Sequence, residues 1–226
     1  MLFTYYGQSC FGIVVNGAKL LFDPFITPNE KAKHININEI EADYILISHG
    51  HGDHVADVEA IAKRTGATLV SSFEITNWFE SKGCTRYQPM NTGGKWKFEF
   101  GTVKCVNAIH SSTMPDGASG GNPMGFVITS DDGNFYYSGD TALTLDMQLI
   151  PSYASLDFCI LPVGDNFTMG YEDAAEAAIM VGCKTVIGVH FDTFGFITID
   201  HQKAKDYFKM KGLELILLSI GESIDI

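Results

Sequence analysis

The sequence predicts an α/β fold in which sheets carry helices on their outer faces. Three observations lead there. Short apolar runs come first, closely spaced and separated by Gly and Asn; β-like runs return in mid-chain; and the last third alternates strand with helix. Nearly half of the 226 residues are apolar (46%) and only 19% are charged, so the chain can bury a sizeable core and is not disordered.

The elements follow in order. "LFTYYG", "FGIVVN" and "KLLFDPF" read as strands with turns between them, and "DYILIS" as a fourth. A helical stretch runs from Val55 to Thr65 and stops at Gly66. "ATLVSS" is a strand, and Phe73 to Lys82 a helix stopped by Gly83. The middle returns to β with "KWKFEF", "TVKCVNAI", "GFVITS" and "NFYYSG". The alternating third comprises strand "DFCILP", helix Tyr171 to Val181, strand "KTVIGV", helix Asp200 to Lys211 and strand "LELILLS". No linker, repeat or composition break divides the chain, so residues 1–226 read as one domain.

Composition excludes several classes. Net charge is −12 and no Lys/Arg cluster stands out, which argues against nucleic acid as a partner. No apolar run approaches the ~20 residues that span a bilayer. "MLFTYYGQS" lacks the basic and apolar regions of a signal peptide, so the expected location is cytoplasmic. Of the five cysteines, Cys10, Cys105, Cys159 and Cys183 lie in or beside apolar segments and Cys84 in a polar one. No CxxC pair occurs, in agreement with a reducing compartment.

The most informative stretch is "SHGHGDHV", Ser48 to Val55. Three of the seven histidines and an aspartate fall within six residues, directly after an apolar strand. In an extended loop alternate side chains point the same way, so His49 and His51 can grip one ion, while Asp53 and His54 suit a neighbouring one. Gly50 and Gly52 permit backbone angles or close approaches that a β-carbon forbids. A solvated His-rich turn is the bland alternative, and the clustering argues against it. Further ligand types stand where later strands run out: His110 after "VKCVNAI", Asp140 in "YYSGDT", His190 after "TVIGV". His34 and His201 show no such placement and read as surface residues.

"HGHGDH", followed by His110, "SGDT" and His190, resembles the metallo-β-lactamase superfamily. "QSCFGIVVNGAKLLFDPFITPN", "SHGHGDHVAD", "YYSGDTAL", "LPVGDNFTMGYEDAAEAA" and "GVHFDTFGFI" resemble, more narrowly, its ascorbate-phosphate-lactonase-like branch and a family of metal-dependent hydrolases within it. One departure is Gln8, where the resemblance leads one to expect His. The resemblance implies a four-layer αββα sandwich with two divalent ions between the sheet edges. His49, His51 and His110 would hold the first ion, Asp53, His54 and His190 the second, and Asp140 would bridge them. Asp23 would brace the ligand loop from behind. Homo-oligomeric assembly is implied as well.

Imidazoles and carboxylates without thiolates suit Zn first, with Mn, Fe, Ni or Co as alternatives. Two such ions ~3.5–4 Å apart lower the pKa of a bridging water towards ~7. The expected function is therefore hydrolysis of an ester, lactone or phosphodiester in a small-molecule substrate by a metal-bridging hydroxide. Asp53, His54 and Asp140 would carry the catalysis, with Asp53 orienting the hydroxide and passing a proton. No serine nucleophile is needed.

Two loops could shape the pocket, Ser111 to Gly125 and Gly164 to Asp173, although either could be a passive connection. Asp165, Asn166 and Thr168 in the second, and Asp192 and Thr193 after His190, are the candidate substrate contacts; Phe167 and Met169 read as packing. Alternatives on the same fold are a di-iron redox protein, a nuclease and a metal-binding protein without catalysis. A carboxylate would be expected in place of His51 for the first, and an inserted RNA-binding domain for the second.

Overall fold

The computed structural model describes residues 1–226 and contains two seven-stranded sheets. Strands β1 (Leu2–Gly7), β2 (Cys10–Val15) and β3 (Ala18–Phe22) form an antiparallel meander; β4 (Tyr44–Leu46), β5 (Thr68–Ser72) and β6 (Tyr87–Met90) then add parallel to β3. The second sheet repeats that plan. A meander of β7 (Lys95–Phe98), β8 (Gly101–Asn107), β9 (Met124–Ser130) and β10 (Gly133–Tyr137) is followed by parallel β11 (Phe158–Pro162), β12 (Thr185–Val189) and β13 (Glu214–Ile216). β14 (Ser223–Asp225) closes the first sheet against β1.

Alternation along the strands assigns the layers. Leu20 and Phe22 of β3, Leu46 of β4 and Val70 of β5 face the core between the sheets. Leu21, Ile45 and Leu69 face the other way, into a smaller core beneath helices α2 (Val58–Thr65) and α3 (Phe73–Glu80). Helices α4 (Tyr171–Met180) and α5 (His201–Met210) cover the second sheet with Ala174, Ala177, Ala178, Ala204 and Phe208. The result is the expected four-layer αββα sandwich. No helix is long and apolar enough to cross a membrane.

The helix expected from Val55 to Thr65 is broken in two. A single turn, α1 (Gly52–Val55), precedes α2, and Asp57 separates them. The Asp57 carboxylate is drawn away to accept the backbone N–H groups of Ile26 (2.6 Å) and Thr27 (2.9 Å). Its own N–H donates to Pro24 O, so the break ties the ligand loop to the segment after β3. α2 then ends as expected at Gly66, in the left-handed region at φ 72°. β13 is shorter than "LELILLS", and β6 and β14 are edge strands that the apolar pattern does not announce. Cys84 is buried beside Phe79 rather than in a polar setting; all five cysteines are free and buried.

Candidate metal centre

Seven ligand candidates gather at one edge of the sandwich because each follows a strand that ends there. His49 and His51 leave β4, Asp53 and His54 lie in α1, and His110, Asp140 and His190 follow β8, β10 and β12. Three groups form whose ligand atoms all lie within 4.8 Å of one another: His49, His51 and His110 on one side, Asp53, His54 and His190 on the other, and Asp23, His49 and His54 beneath them. Asp140 lies between the first two. Its Oδ2 is 3.2 Å from His54 Nε2 and 3.1 Å from His190 Nε2 in one group, and 3.9 Å from His49 Nε2 and 3.8 Å from His110 Nε2 in the other.

Asp23 organises this cluster from beneath. Its buried carboxylate accepts four hydrogen bonds: from Ser48 N (2.7 Å) on Oδ1, and from Ser48 Oγ (2.6 Å), Tyr137 Oη (2.6 Å) and His54 Nδ1 (2.9 Å) on Oδ2. The tautomers follow from proton counting. His54 donates from Nδ1, which leaves Nε2 facing Asp140. Ser48 has spent its one proton on Asp23, so at 2.9 Å it accepts from His49 Nδ1, and His49 also presents Nε2 to the site. Tyr137 belongs to the core at its other end, where its ring meets Phe11 and Phe22 edge-on at 5.1 and 5.5 Å.

Gln8 occupies the turn between β1 and β2 and reaches the second ligand group twice. Its Nε2 donates to Asp53 Oδ2 (2.8 Å), and its backbone carbonyl accepts the His190 N–H (2.8 Å). Gln8 and His190 both adopt left-handed backbone, φ 56° and 55°, which aims these groups at each other. Gly164 permits the His190 conformation, because a β-carbon there would stand 2.0 Å from His190 O. Of the two loop glycines, Gly50 makes the close approach, to Met114 and Gly120, whereas Gly52 faces open space.

The residues fit a cation. His49 Nε2, bare in the tautomer above, and His51 Nδ1 converge at 3.0 Å. His54 Nε2 and Asp140 Oδ1 are buried without a hydrogen-bond partner. Titration carries the same message. Burial alone would raise Asp140 and Asp53, but the His190 and His54 rings beside them hold both well below the ordinary carboxylate range. Burial opposes charge on His54 too, yet Asp140, Asp53 and Asp23 together push it well above the usual imidazole range. Burial pulls His49, His51 and His110 down, and the neighbouring imidazoles add to that effect.

The cluster floors an open cleft of about 760 Å³. Its walls carry Phe25, Phe167, Phe194 and Phe196, with Ser111 beside His51 (3.1 Å). Phe167, expected to pack inside, is half exposed at the mouth, whereas Met169 is buried. Asp165, Asn166, Thr168, Asp192 and Thr193 are not among the residues lining the cleft. Asp165 and Asn166, at φ 63° and 60°, shape the turn that carries Phe167. Asp192 holds the following loop through His201 Nε2 (2.7 Å) and the Ile199 N–H.

The Ser111–Gly125 loop is tied down by a bridge between Thr113 and Ser119 and by Ser72 Oγ donating to Gly120 O. Gly117–Gly121 spells the GxSxG of a serine nucleophile. Ser119, however, lies in that bridged loop before a strand rather than at a strand-to-helix turn, and its Oγ accepts the Gly121 N–H.

Comparison with known proteins agrees with this geometry. Residues 2–190 match a family model described as the beta-lactamase superfamily domain. The chain is similar to a UPF0173 metal-dependent hydrolase of Christiangramia forsetii, 54% identical over the whole of both chains. Another of that description, from Flavobacterium johnsoniae, is also 54% identical over the whole of both. Among solved structures it resembles Igni18, described as a metallo hydrolase from the archaeon Ignicoccus hospitalis. There the TM-score is 0.88 and the identity 30%, covering 99% of this chain and 97% of that one.

Proposed function

This chain belongs to the metallo-β-lactamase superfamily, within its family of UPF0173 metal-dependent hydrolases, and from that premise we propose a two-ion hydrolase acting on an ester, lactone or phosphodiester bond. The observation that carries the reading is Asp140. Its buried carboxylate stands between two separate ligand groups, within 3.9 Å of a nitrogen in each. His49, His51 and His110 would hold one divalent ion, Asp53, His54 and His190 the other, and Asp140 both. Zinc suits the all-imidazole-and-carboxylate set best. Such ions supply a water acidified towards neutrality and a Lewis acid for the oxygen under attack.

The remaining work falls to side chains. Asp23 and Ser48 fix His54 and His49 with Nε2 turned inward, so no tautomeric search precedes loading. Asp53 is the carboxylate most open to the cleft, with its side chain 24% exposed against 3% for Asp140. Gln8 holds its Oδ2, which steers Asp53 to receive the proton of the attacking water and return it to the leaving group. Phenylalanine rings wall one side of the cleft. Five free, buried thiols support a cytoplasmic location.

The test is elemental analysis of the purified chain together with turnover of chromogenic ester, lactone and phosphodiester substrates, wild type against Asp53→Ala. About two divalent ions per chain, with turnover lost in the variant, is the expected result. A metal-replete chain that turns over none of these bonds would refute the hydrolytic reading, and one ion per chain would refute the two-ion one.

A further inference from the structure

The cleft above the ligand cluster has a one-sided chemistry. Apart from the ligand residues, its lining consists of four phenylalanines, two glycines and Ser111; no Lys or Arg is present. The rings come from three separate segments: Phe25 after β3, Phe167 between β11 and α4, and Phe194 and Phe196 after β12. They meet as two pairs, Phe25 with Phe194 at 6.3 Å and Phe167 with Phe196 at 6.2 Å.

Folding accounts for Phe25, which is buried, but not for the outer rings. Phe167 and Phe196 are 52% and 78% exposed, so neither seals the core. Phe167 is held out by two consecutive left-handed residues, Asp165 and Asn166. Asp192, left-handed as well, shapes the loop bearing Phe194 and Phe196. Apolar surface held out against water at the mouth of a polar floor is the pattern of a ligand site, with walls for hydrocarbon and a few polar groups for chemistry.

Resting on the hydrolytic reading of this site, we infer that it takes uncharged, apolar substrates: aryl or medium-chain acyl esters and lactones whose hydrocarbon part lies against Phe25, Phe167, Phe194 and Phe196. Water adds its oxygen to the acyl carbon, the acyl–oxygen bond breaks, and the proton released goes to the departing alcohol or phenol. A carboxylate or phosphate distant from the scissile bond would be pressed against phenyl rings with no cation to pair it, and desolvating an unpaired anion is costly.

The experiment compares two esters with one leaving group and one chain length, 4-nitrophenyl hexanoate and the mono-4-nitrophenyl ester of adipate, on the metal-loaded protein. The neutral ester is expected to have a kcat/KM at least about tenfold higher. In the double variant Phe167→Ser, Phe196→Ser, both changes on exposed rings, the ratio falls towards unity. A wild-type ratio near or below one, or a ratio unchanged in the variant, overturns the inference.

Binding of neutral, non-hydrolysable 2-acetylnaphthalene, followed by calorimetry on the same two proteins, separates this inference from the reading beneath it. Binding that weakens at least about tenfold in the variant supports the apolar cleft even where neither ester turns over, an outcome that defeats acyl-ester hydrolysis alone. No binding to wild type, or equal binding to both, defeats the apolar cleft.

Discussion

Replacing Asp23 tests the organisation of the whole centre. Asparagine is the informative substitute, because it is nearly isosteric and tolerates the left-handed backbone at φ 42° that this position adopts. Three donors converge on Oδ2 and one on Oδ1. In its better orientation the amide oxygen keeps the first three. The amide NH₂ then confronts the Ser48 N–H, and the remaining bonds lose the assistance of a charge. One lost charge-assisted bond and three weakened ones amount to about 2–4 kcal/mol, against a typical total stability of ~5–15. Asp23→Ala orphans all four donors and should cost at least about 4 kcal/mol, at ~1–3 for each. In Asp23→Ala metal affinity should fall as well, by about 10–100-fold, because Ser48 and His54 then have no acceptor that fixes which imidazole nitrogen is free. Urea unfolding of the metal-free proteins gives the first quantity, and zinc competition with a chromophoric chelator the second. Asp23→Asn that loses less than about 1 kcal/mol would refute the stability argument, since it would mean the four bonds are worth no more to the fold than contacts with water, and Asp23→Ala that binds zinc like wild type would refute the metal-site argument.

Other expectations follow from the same geometry. Gly164→Ala places a β-carbon 2.0 Å from His190 O, a backbone atom that cannot swing aside, so it should lower the unfolding midpoint by many degrees and abolish zinc binding; Gly52→Ala, which meets nothing within 4 Å, should leave both in place. Gln8→Ala removes the amide from Asp53 and should weaken zinc binding about three- to tenfold, roughly one hydrogen bond's worth; Gln8→His, which keeps a ring N–H donor, should recover part of the loss in the same chelator titration. Zinc loading at pH 7 should release about one proton from His54, since the neighbouring carboxylates keep that ring protonated well above the usual imidazole range and coordination needs its Nε2 bare. Apparent affinity should therefore rise with pH up to the folded-state pKa of His54; calorimetry in buffers of different ionisation enthalpy reads the proton count, and no release would refute the assignment.

The sandwich and the ligand types are legible in the sequence because both depend on strong local signals. Apolar alternation marks most strands, and a strand that ends in His or Asp hands that side chain to whatever edge the sheet presents. What escapes is set by long-range contacts. Nothing local shows that Asp57 will leave its helix for the Ile26 and Thr27 amides, or that Cys84, among polar neighbours, packs beside Phe79. β14 is three residues long and exists because β1 offers an edge. The cleft wall fails for a related reason. Asp165, Asn166 and Asp192 have functional groups that invite assignment to a substrate, but their left-handed backbones turn the loops so that Phe167, Phe194 and Phe196, which follow them, face the opening. Gln8 is the one anomaly visible beforehand; its partner at position 53 is not.

The order in which the ligands occur along the chain has a consequence for synthesis. The segment that builds β1 to β6 carries a complete His-x-His-x-Asp-His loop, but His110, Asp140 and His190 arrive only with the second sheet, and the strand that seals the edge of β1 begins at Ser223. A nascent chain therefore exposes its histidine loop long before a closed cage can form. Any ion met early is held by a partial set and exchanges freely, while tight capture waits until both sheets have docked. On the proposed ligand set, selection of the metal would thus wait for the docking of both sheets, when the finished geometry rather than the first cation encountered decides what stays.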